Sequence, residues 1–367
     1  LNQRIVLATD SHEPSGVGEH MLILGAALAH DYDVVIAAPD HAAGRALLHR
    51  AAMAGLGVKT LDLAAPQAVR AWLASLGKAL LHVHAGIGWE GHDLVRHGKA
   101  AGLAVVRTEH LPYLLTNPVQ QAAYRAMLLS VDGRIAVSQA VYQSYKDQGS
   151  ARLALVHNGV THRAPTVART QTRQALGLGG DDTLLLTVAR LSPQKGHAVL
   201  IEAAGAVLER HPSARFVLVG TGPEQDTLSA SIAQAGLEPH VIMLGQRTDV
   251  PNLLAAADLF VLPSLFEGLP LALLEAMAAK VPAIATTAGG SIEAIGRDHP
   301  FLAAPGDAVS LSEAIGAALD HPDVARAAAD KAFSRHEEQF SAARMAADTA
   351  TFYQSILHKQ GTAGSNS

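Results

Sequence analysis

The sequence predicts an α/β protein of two domains, each a mainly parallel sheet with helices on both faces. Three observations carry that expectation. Short apolar runs alternate with helix-length stretches along most of the chain, as repeated strand–helix units require. The alternation lapses over 161–173 (THRAPTVARTQTR), which carries no core and suits a linker. A chain of 367 residues, 49% apolar and 17% charged, is also longer than one hydrophobic core ordinarily serves.

In the first half, Ile5–Thr9, Val34–Ala38, Leu80–Val83, Leu103–Arg107, Ile135–Val137 and Leu153–Val156 read as strands. Helical stretches fall between them, over 17–29, 42–54, 66–77, 92–101, 118–129 and 139–148. The second half restarts with strands at Asp182–Val188, Phe216–Val219, Val241–Leu244, Leu259–Leu262 and Ala283–Ala285. Its helices are expected over 196–210, 225–234, 249–256, 271–279 and 308–319. A helical tail from about Arg335 to Leu357 carries Phe340, Met345, Phe352 and Tyr353, and these need a surface to cover. The simplest such surface is the first domain. The expected division is 1–165 with a returning helix over about 340–358, and 166–339. The closing GTAGSNS is expected to be disordered.

The totals exclude several classes. A formal charge of −5 gives no strong basic surface for nucleic acid. Without cysteine there is no disulfide, thiolate nucleophile or cysteine metal site. No apolar run reaches the roughly 18–20 residues of a membrane span, and LNQRIVLATD reads as a strand rather than a secretory signal. A cytoplasmic protein is the expectation, with peripheral contact to a membrane left open.

Ligands of open parallel sheets bind outside the C-terminal strand ends, so the residues that follow each strand matter most. In VARLSPQKGH, Arg190 follows a strand and Lys195 precedes a helix. Two cations at such a junction suit a pyrophosphate, and an ordinary solvated pair capping a turn is an equal alternative. Gly220–Pro223 forms a glycine turn after another strand. The stretch Pro263–Pro282 (PSLFEGLPLALLEAMAAKVP) is the most unusual. From Leu271 to Ala279 every residue but Glu275 is apolar, so a nearly buried helix carries one carboxylate. Glu267 waits in the loop before it, beside the bend that Gly268 permits. A strand end, a turn and a helix start form a place where backbone N–H groups receive an anion. A phosphorylated ligand is expected there, with Glu267 and Glu275 reading its hydroxyls.

In the first domain Gly16 and Gly18 are placed in the loop after the first strand, with Glu19 and His20 opening the helix. Among nineteen histidines a lone one reads as incidental, but His84 and His110 each stand just past a buried strand. Asp10, Ser138 and Asn158–Gly159 also follow strands. No GxGxxG follows any strand, and neither a phosphate loop ending in GK[ST] nor a GxSxG elbow occurs. No HExxH or tight ligand spacing supports a metal site.

Taken together these segments resemble the retaining, two-Rossmann-domain (GT-B type) glycosyltransferases of family 4. The resemblance rests on Ser15–His20, His82–His84, Thr108–His110, Val137–Ser138, His157–Val160, Arg190 with Lys195–Gly196, Gly220–Pro223, Asp249–Pro251, and Glu267–Gly268 through Glu275–Met277. It runs nearly the whole chain in order. The two glutamates eight residues apart, with Arg190 and Lys195 upstream, are its most specific part.

The resemblance implies a GT-B fold whose domains face each other across a cleft, and transfer of a sugar from a UDP- or GDP-type nucleotide sugar to a hydroxyl acceptor. It implies no cofactor and no metal. Arg190 and Lys195 would hold the donor diphosphate, Glu275 the ribose, and Glu267 with the backbone of Gly268 and Leu269 the sugar hydroxyls. Gly16 and Gly18 would approach the diphosphate, and the Gly222 turn would lie in the donor site, where a plain tight turn is an equal reading. Arg247 would lie beside the base and His110 near the transferred sugar. The acceptor would be a small molecule, a glycan or a lipid-linked compound, bound by loops near 40–50, 84–92 and 110–120, with Trp89 and Tyr113 facing it or packing. Lys280 stands where the family commonly has a glycine. Two other readings compete: a nucleotide-sugar epimerase on the same twin domains, and a non-catalytic nucleotide-sugar binder.

Overall fold

A computed structural model describes residues 2–13, 15–149 and 151–363. It divides into two compact units, residues 1–159 with 341–367, and residues 160–340.

Unit 1 holds seven strands: β1 (Arg4–Ala8), β2 (Asp33–Pro39), β3 (Gly57–Leu61), β4 (Leu80–Ala85), β5 (Ala104–Glu109), β6 (Gly133–Ala136) and β7 (Arg152–Leu155). They lie in the order β3-β2-β1-β4-β5-β6-β7, every neighbouring pair parallel. Ile5, Val6, Leu7 and Ala8 of β1 are wholly buried, as expected of a central strand covered on both faces. The helix Ala342–Ala363 belongs to this unit. It packs Met345, Phe352, Tyr353 and Ile356 into the core with Ile5, Leu7 and Val106. Phe340 falls in the other unit, where its carbonyl accepts from Val160 N at 2.9 Å. Residues 361–363 finish this helix instead of trailing as coil, and the last four residues of GTAGSNS lie outside the described residues.

Unit 2 holds six: β8 (Thr183–Val188), β9 (Ala214–Val219), β10 (Val241–Met243), β11 (Leu259–Leu262), β12 (Ala283–Thr286) and β13 (Leu302–Ala303). The order is β10-β9-β8-β11-β12-β13, again parallel throughout. Both sheets are doubly wound, with strand order reversing between β1 and β4 in unit 1 and between β8 and β11 in unit 2. Such switch points open a crevice at the carboxyl ends of the strands.

The stretch expected to be a linker is structured. Val160 is buried, Thr166 N donates to Asn252 Oδ1 at 2.7 Å, and Arg169–Ala175 is a helix. Arg173 Nη1 donates to Asp258 Oδ2 at 3.0 Å, and the same carboxylate oxygen accepts from Leu184 N at 2.7 Å. The division therefore comes at 159/160 rather than 165/166. This helix is fastened by polar pairs and buries a threonine, so it leaves no apolar period to read.

Candidate functional site

In unit 2 the loops after β8 and β11, the two strands of the switch point, interlock. Leu265 N donates to Gln194 O at 2.8 Å, and Gln194 Nε2 donates to Phe266 O at 3.0 Å. A Cβ on Gly196, whose φ is +68°, would lie 2.0 Å from Pro263 O, so only glycine lets the loops meet this closely. Lys195 Nζ donates to Glu267 Oε1 at 2.6 Å, and Ser264 Oγ donates to the same oxygen at 2.7 Å. Glu267 is 3% exposed. Two of the expected site residues, distant in sequence, thus form one charge pair, buried on the Glu267 side and part-exposed at Lys195.

Arg190 stands just beyond β8, half-buried. The glycine turn after β9 lies against this segment. Leu191 N donates to Thr221 O at 2.9 Å, and a Cβ on Gly222 would come within 2.2 Å of Leu191 O. Gly222 therefore admits protein backbone at this point. The same device recurs after β12, where a Cβ on Gly290 would fall 1.7 Å from Gly268 O. Leu269 is buried, and the helix Leu271–Ala278 begins after Pro270 with no side-chain cap on its first turn.

Glu275 is less enclosed than its apolar helix suggests. Its side chain is 19% exposed, and Arg163 Nη2 donates to its Oε1 at 2.9 Å. Arg247 grips Asp249 through two bonds of 2.8 and 2.7 Å, which hold the Asp249 carboxyl below its usual range. His197, in the first turn after Gly196, is fully buried with no hydrogen-bond partner on either ring nitrogen. Burial, helped by the Lys195 charge, pushes its pKa down to about 4, so the ring is neutral near pH 7.

In unit 1, Gly16 and Gly18 lie inside the helix Ser15–Leu28, not in the loop before it, because the helix already begins at Ser15. A Cβ on Gly16 would meet nothing within 4 Å, so packing does not demand glycine there. His20, from the same helix, meets His84 and His110 at ring-centroid distances of 5.2 and 4.6 Å. His84 Nδ1 and His110 Nε2 are 3.2 Å apart. His82, one pleat back along β4 on the same face, is satisfied by Tyr353 Oη and Thr108 Oγ1, both at 2.6 Å. Burial pushes the His20 pKa down to about 4 and drives His82, His84 and His110 well below the ordinary imidazole value. All four rings are therefore neutral near pH 7. One nitrogen from each of His20, His84 and His110 lies within 4.8 Å of the others.

Beside β5, Arg107 Nε donates to Glu109 Oε1 at 2.8 Å, and Tyr124 Oη donates to the same oxygen at 2.7 Å. Glu109 is thereby committed to a buried structural pair. Tyr113 packs between Tyr124 and Tyr145, with ring centroids 5.5 Å from each. Trp89 is 46% exposed and lines a cavity of about 750 Å³ with Asp10, Ile87, Glu90 and His92. Of the loops expected to hold an acceptor, 84–92 contributes to this cavity, whereas 40–50 and 110–120 do not.

Comparison with known families places these two units. Residues 14–163 match the model of Glycosyltransferase Family 4, and residues 168–335 match that of Glycosyl transferases group 1. The chain belongs to the family 4, group 1 glycosyltransferases. Its fold is GT-B. Over 146 residues it is 36% identical to the UDP-Gal:alpha-D-GlcNAc-diphosphoundecaprenol alpha-1,3-galactosyltransferase of Escherichia coli, a stretch covering 38% of each chain. Over 201 residues it is 29% identical to the lipopolysaccharide core biosynthesis mannosyltransferase LpsB of Rhizobium meliloti (strain 1021), covering 53% of this chain and 57% of that one. The matched stretches thus span about two fifths and under three fifths of these relatives. Anabaena Alr3699/HepE, solved in complex with UDP and glucose, superposes with a TM-score of 0.81 at 22% identity, over 96% of this chain and 100% of that one.

The charged residues of the unit 2 loops are legible in the sequence of this family member, but their pairing is not. Ser264 and His197 lie inside the stretches singled out above without being marked themselves, and Arg163 sits in a stretch with no signal of its own. Arg163 lies in the segment taken for a linker, 112 residues from the glutamate it pairs with.

Proposed function

We propose that the protein is a retaining glycosyltransferase that takes a sugar from a nucleoside-diphosphate sugar and transfers it to a hydroxyl, without a metal. The observation that carries this reading is the Lys195–Glu267 pair at the unit 2 switch point. It sets an ammonium and a carboxylate side by side where a parallel sheet receives its ligand. An ammonium has three donors, so Lys195 can keep its bond to Glu267 and still turn toward a diphosphate. Glu267 has a second oxygen for sugar hydroxyls. Arg190 adds charge from the same loop, and the uncapped start of the helix Leu271–Ala278 adds backbone N–H groups. Glu275 is assigned to the ribose, Arg247 to the base side, and the backbones of Gly222, Gly268 and Leu269 to the donor's flanks. The roles of Gly16, Gly18 and His110 rest on the family resemblance alone. The names of relatives support such a donor: one is a UDP-Gal-dependent galactosyltransferase and another is GDP-mannose-dependent.

In the proposed reaction the acceptor oxygen bonds to the anomeric carbon as the carbon–oxygen bond to the diphosphate breaks. The leaving phosphate oxygen takes the acceptor proton, and Arg190 and Lys195 stabilise the charge that develops on it. Attack from the face of departure retains the anomeric configuration. A panel of UDP- and GDP-sugars incubated with mixed acceptors in excess EDTA tests this, with the product anomer assigned by NMR. A product of donor configuration is expected; an inverted product, an epimerised donor or strict metal dependence would overturn it.

A further inference from the structure

Glu275 is the one charged residue of the helix Leu271–Ala278, and the cation bonded to it comes from the start of unit 2. Arg163 belongs to a short segment that is pinned on both sides. Before it, Val160 N donates to Phe340 O at 2.9 Å, and His336 Nε2 donates to Val160 O at 3.2 Å. After it, Thr166 N and Val167 N both donate to Asn252 Oδ1, at 2.7 and 3.3 Å. Asn252 lies on the helix Val250–Ala256. With Thr161 and His162, Arg163 lines a small crevice to which that helix and the Glu275 helix both contribute. Lys280, the next cation along the chain from Glu275, is turned instead to Asp330 and the Phe333 ring.

The pair does little for stability. The Arg163 side chain is 50% exposed and that of Glu275 19%, and ion pairs open to water contribute little to folding. What it does is hold a carboxylate still. A glutamate side chain loses considerable rotamer freedom when it grips a ligand, and a bond already made in the free protein removes part of that loss. A carboxylate offers about four acceptor positions, so one bond to Arg163 does not exhaust it. Charge acts in the same direction. A lone carboxylate would repel a diphosphate nearby, and each of the two glutamates assigned to the donor carries a cation from upstream, Lys195 on Glu267 and Arg163 on Glu275.

We infer that Arg163 is a positioning residue. It holds the Glu275 carboxylate in the orientation that accepts from the nucleotide ribose, and so sets a preference for ribonucleoside over 2′-deoxyribonucleoside diphosphates. The inference rests on the assignment of Glu275 to the ribose.

Calorimetric titration of UDP, GDP and their 2′-deoxy forms into the parent, Arg163→Gln and Arg163→Lys tests it. In the parent, the ribonucleotide that binds should do so about tenfold more tightly than its deoxy form, as for one hydrogen bond to a charged acceptor. Arg163→Gln should bring that ratio to within about twofold of unity, and Arg163→Lys should recover part of it, with all three proteins melting alike. If Arg163→Gln keeps the parent ratio, even with both forms bound more weakly, the inference is overturned, because loss of charge or of fold alone would weaken both forms equally. Tighter ribonucleotide binding by Arg163→Gln would overturn it as well, by showing that the arginine blocks Glu275. A parent indifferent to the 2′-hydroxyl would remove the ribose role of Glu275, and this inference with it, while leaving the diphosphate site standing. A parent that binds no nucleotide would remove the donor reading itself.

Discussion

Lys195 Nζ and Glu267 Oε1 stand 2.6 Å apart, joining the loops that follow the two switch-point strands of unit 2. Glu267 is almost wholly buried and Lys195 is 21% exposed at its side chain, so the pair is screened by solvent on one side only. Removing the lysine leaves a buried carboxylate with Ser264 as its remaining hydrogen-bond donor on that oxygen. Lys195→Ala should therefore cost about 2–3 kcal/mol in urea denaturation, somewhat less than breaking a wholly buried pair. The double variant Lys195→Met/Glu267→Gln should regain most of that stability, yet bind a nucleoside diphosphate no better than Lys195→Ala. Recovery of stability and binding together would assign Lys195 a purely structural role.

The histidine cluster of unit 1 makes stability depend on pH. The His20 pKa falls to about 4 in the folded protein through burial, against about 6.5 when unfolded. A buried neutral imidazole stabilises above the unfolded value and loses that contribution as pH falls through 6.5 toward 4, because the unfolded chain binds the proton first. His84 and His110 shift in the same direction. Between pH 7 and pH 5 the unfolding free energy should drop by about 2 kcal/mol on account of His20 alone. His20→Gln should flatten the profile over that interval; an unchanged profile would show that this ring titrates normally.

Lys280 is, among the described residues, the one non-glycine with positive φ, at +55°. It follows the helix that carries Glu275, at the position where glycine normally turns the chain. Its ammonium lies 4.4 Å from the centre of the Phe333 ring and 3.8 Å from Asp330, contacts that offset part of the backbone strain. Lys280→Ala keeps the strain and loses the contacts, whereas Lys280→Gly loses both. The glycine variant should accordingly be more stable than the alanine variant by about 1 kcal/mol, measured by thermal or urea unfolding. Equal stability of the two would mean that the backbone relaxes.

What the sequence made legible follows from burial. Central strands such as β1, β8 and β11 are continuous apolar runs because both faces are covered, and the loops after them could be found from the strands alone. β3 was missed because it is an edge strand: of Gly57–Leu61 only Leu61 is buried. The helix Pro322–Gln339 was read only from Arg335 onward, because its buried face is built from alanines at 325, 328, 329 and 332. β13 has two residues, too short to carry a period. In the site, charged residues after strands were visible, but their pairing was not. Nothing local in Thr161–Thr166 points to a glutamate on a helix more than a hundred residues later.

The central claim is that the unit 2 loops hold a nucleoside diphosphate through Arg190 and Lys195. Calorimetric titration of UDP and GDP into the parent protein and Arg190→Ala, at low and at physiological salt, tests it most directly. One nucleotide should bind the parent, and the substitution should weaken binding at least tenfold, about 1.4 kcal/mol or more. Binding of neither nucleotide, or equal affinity in parent and variant, would contradict it.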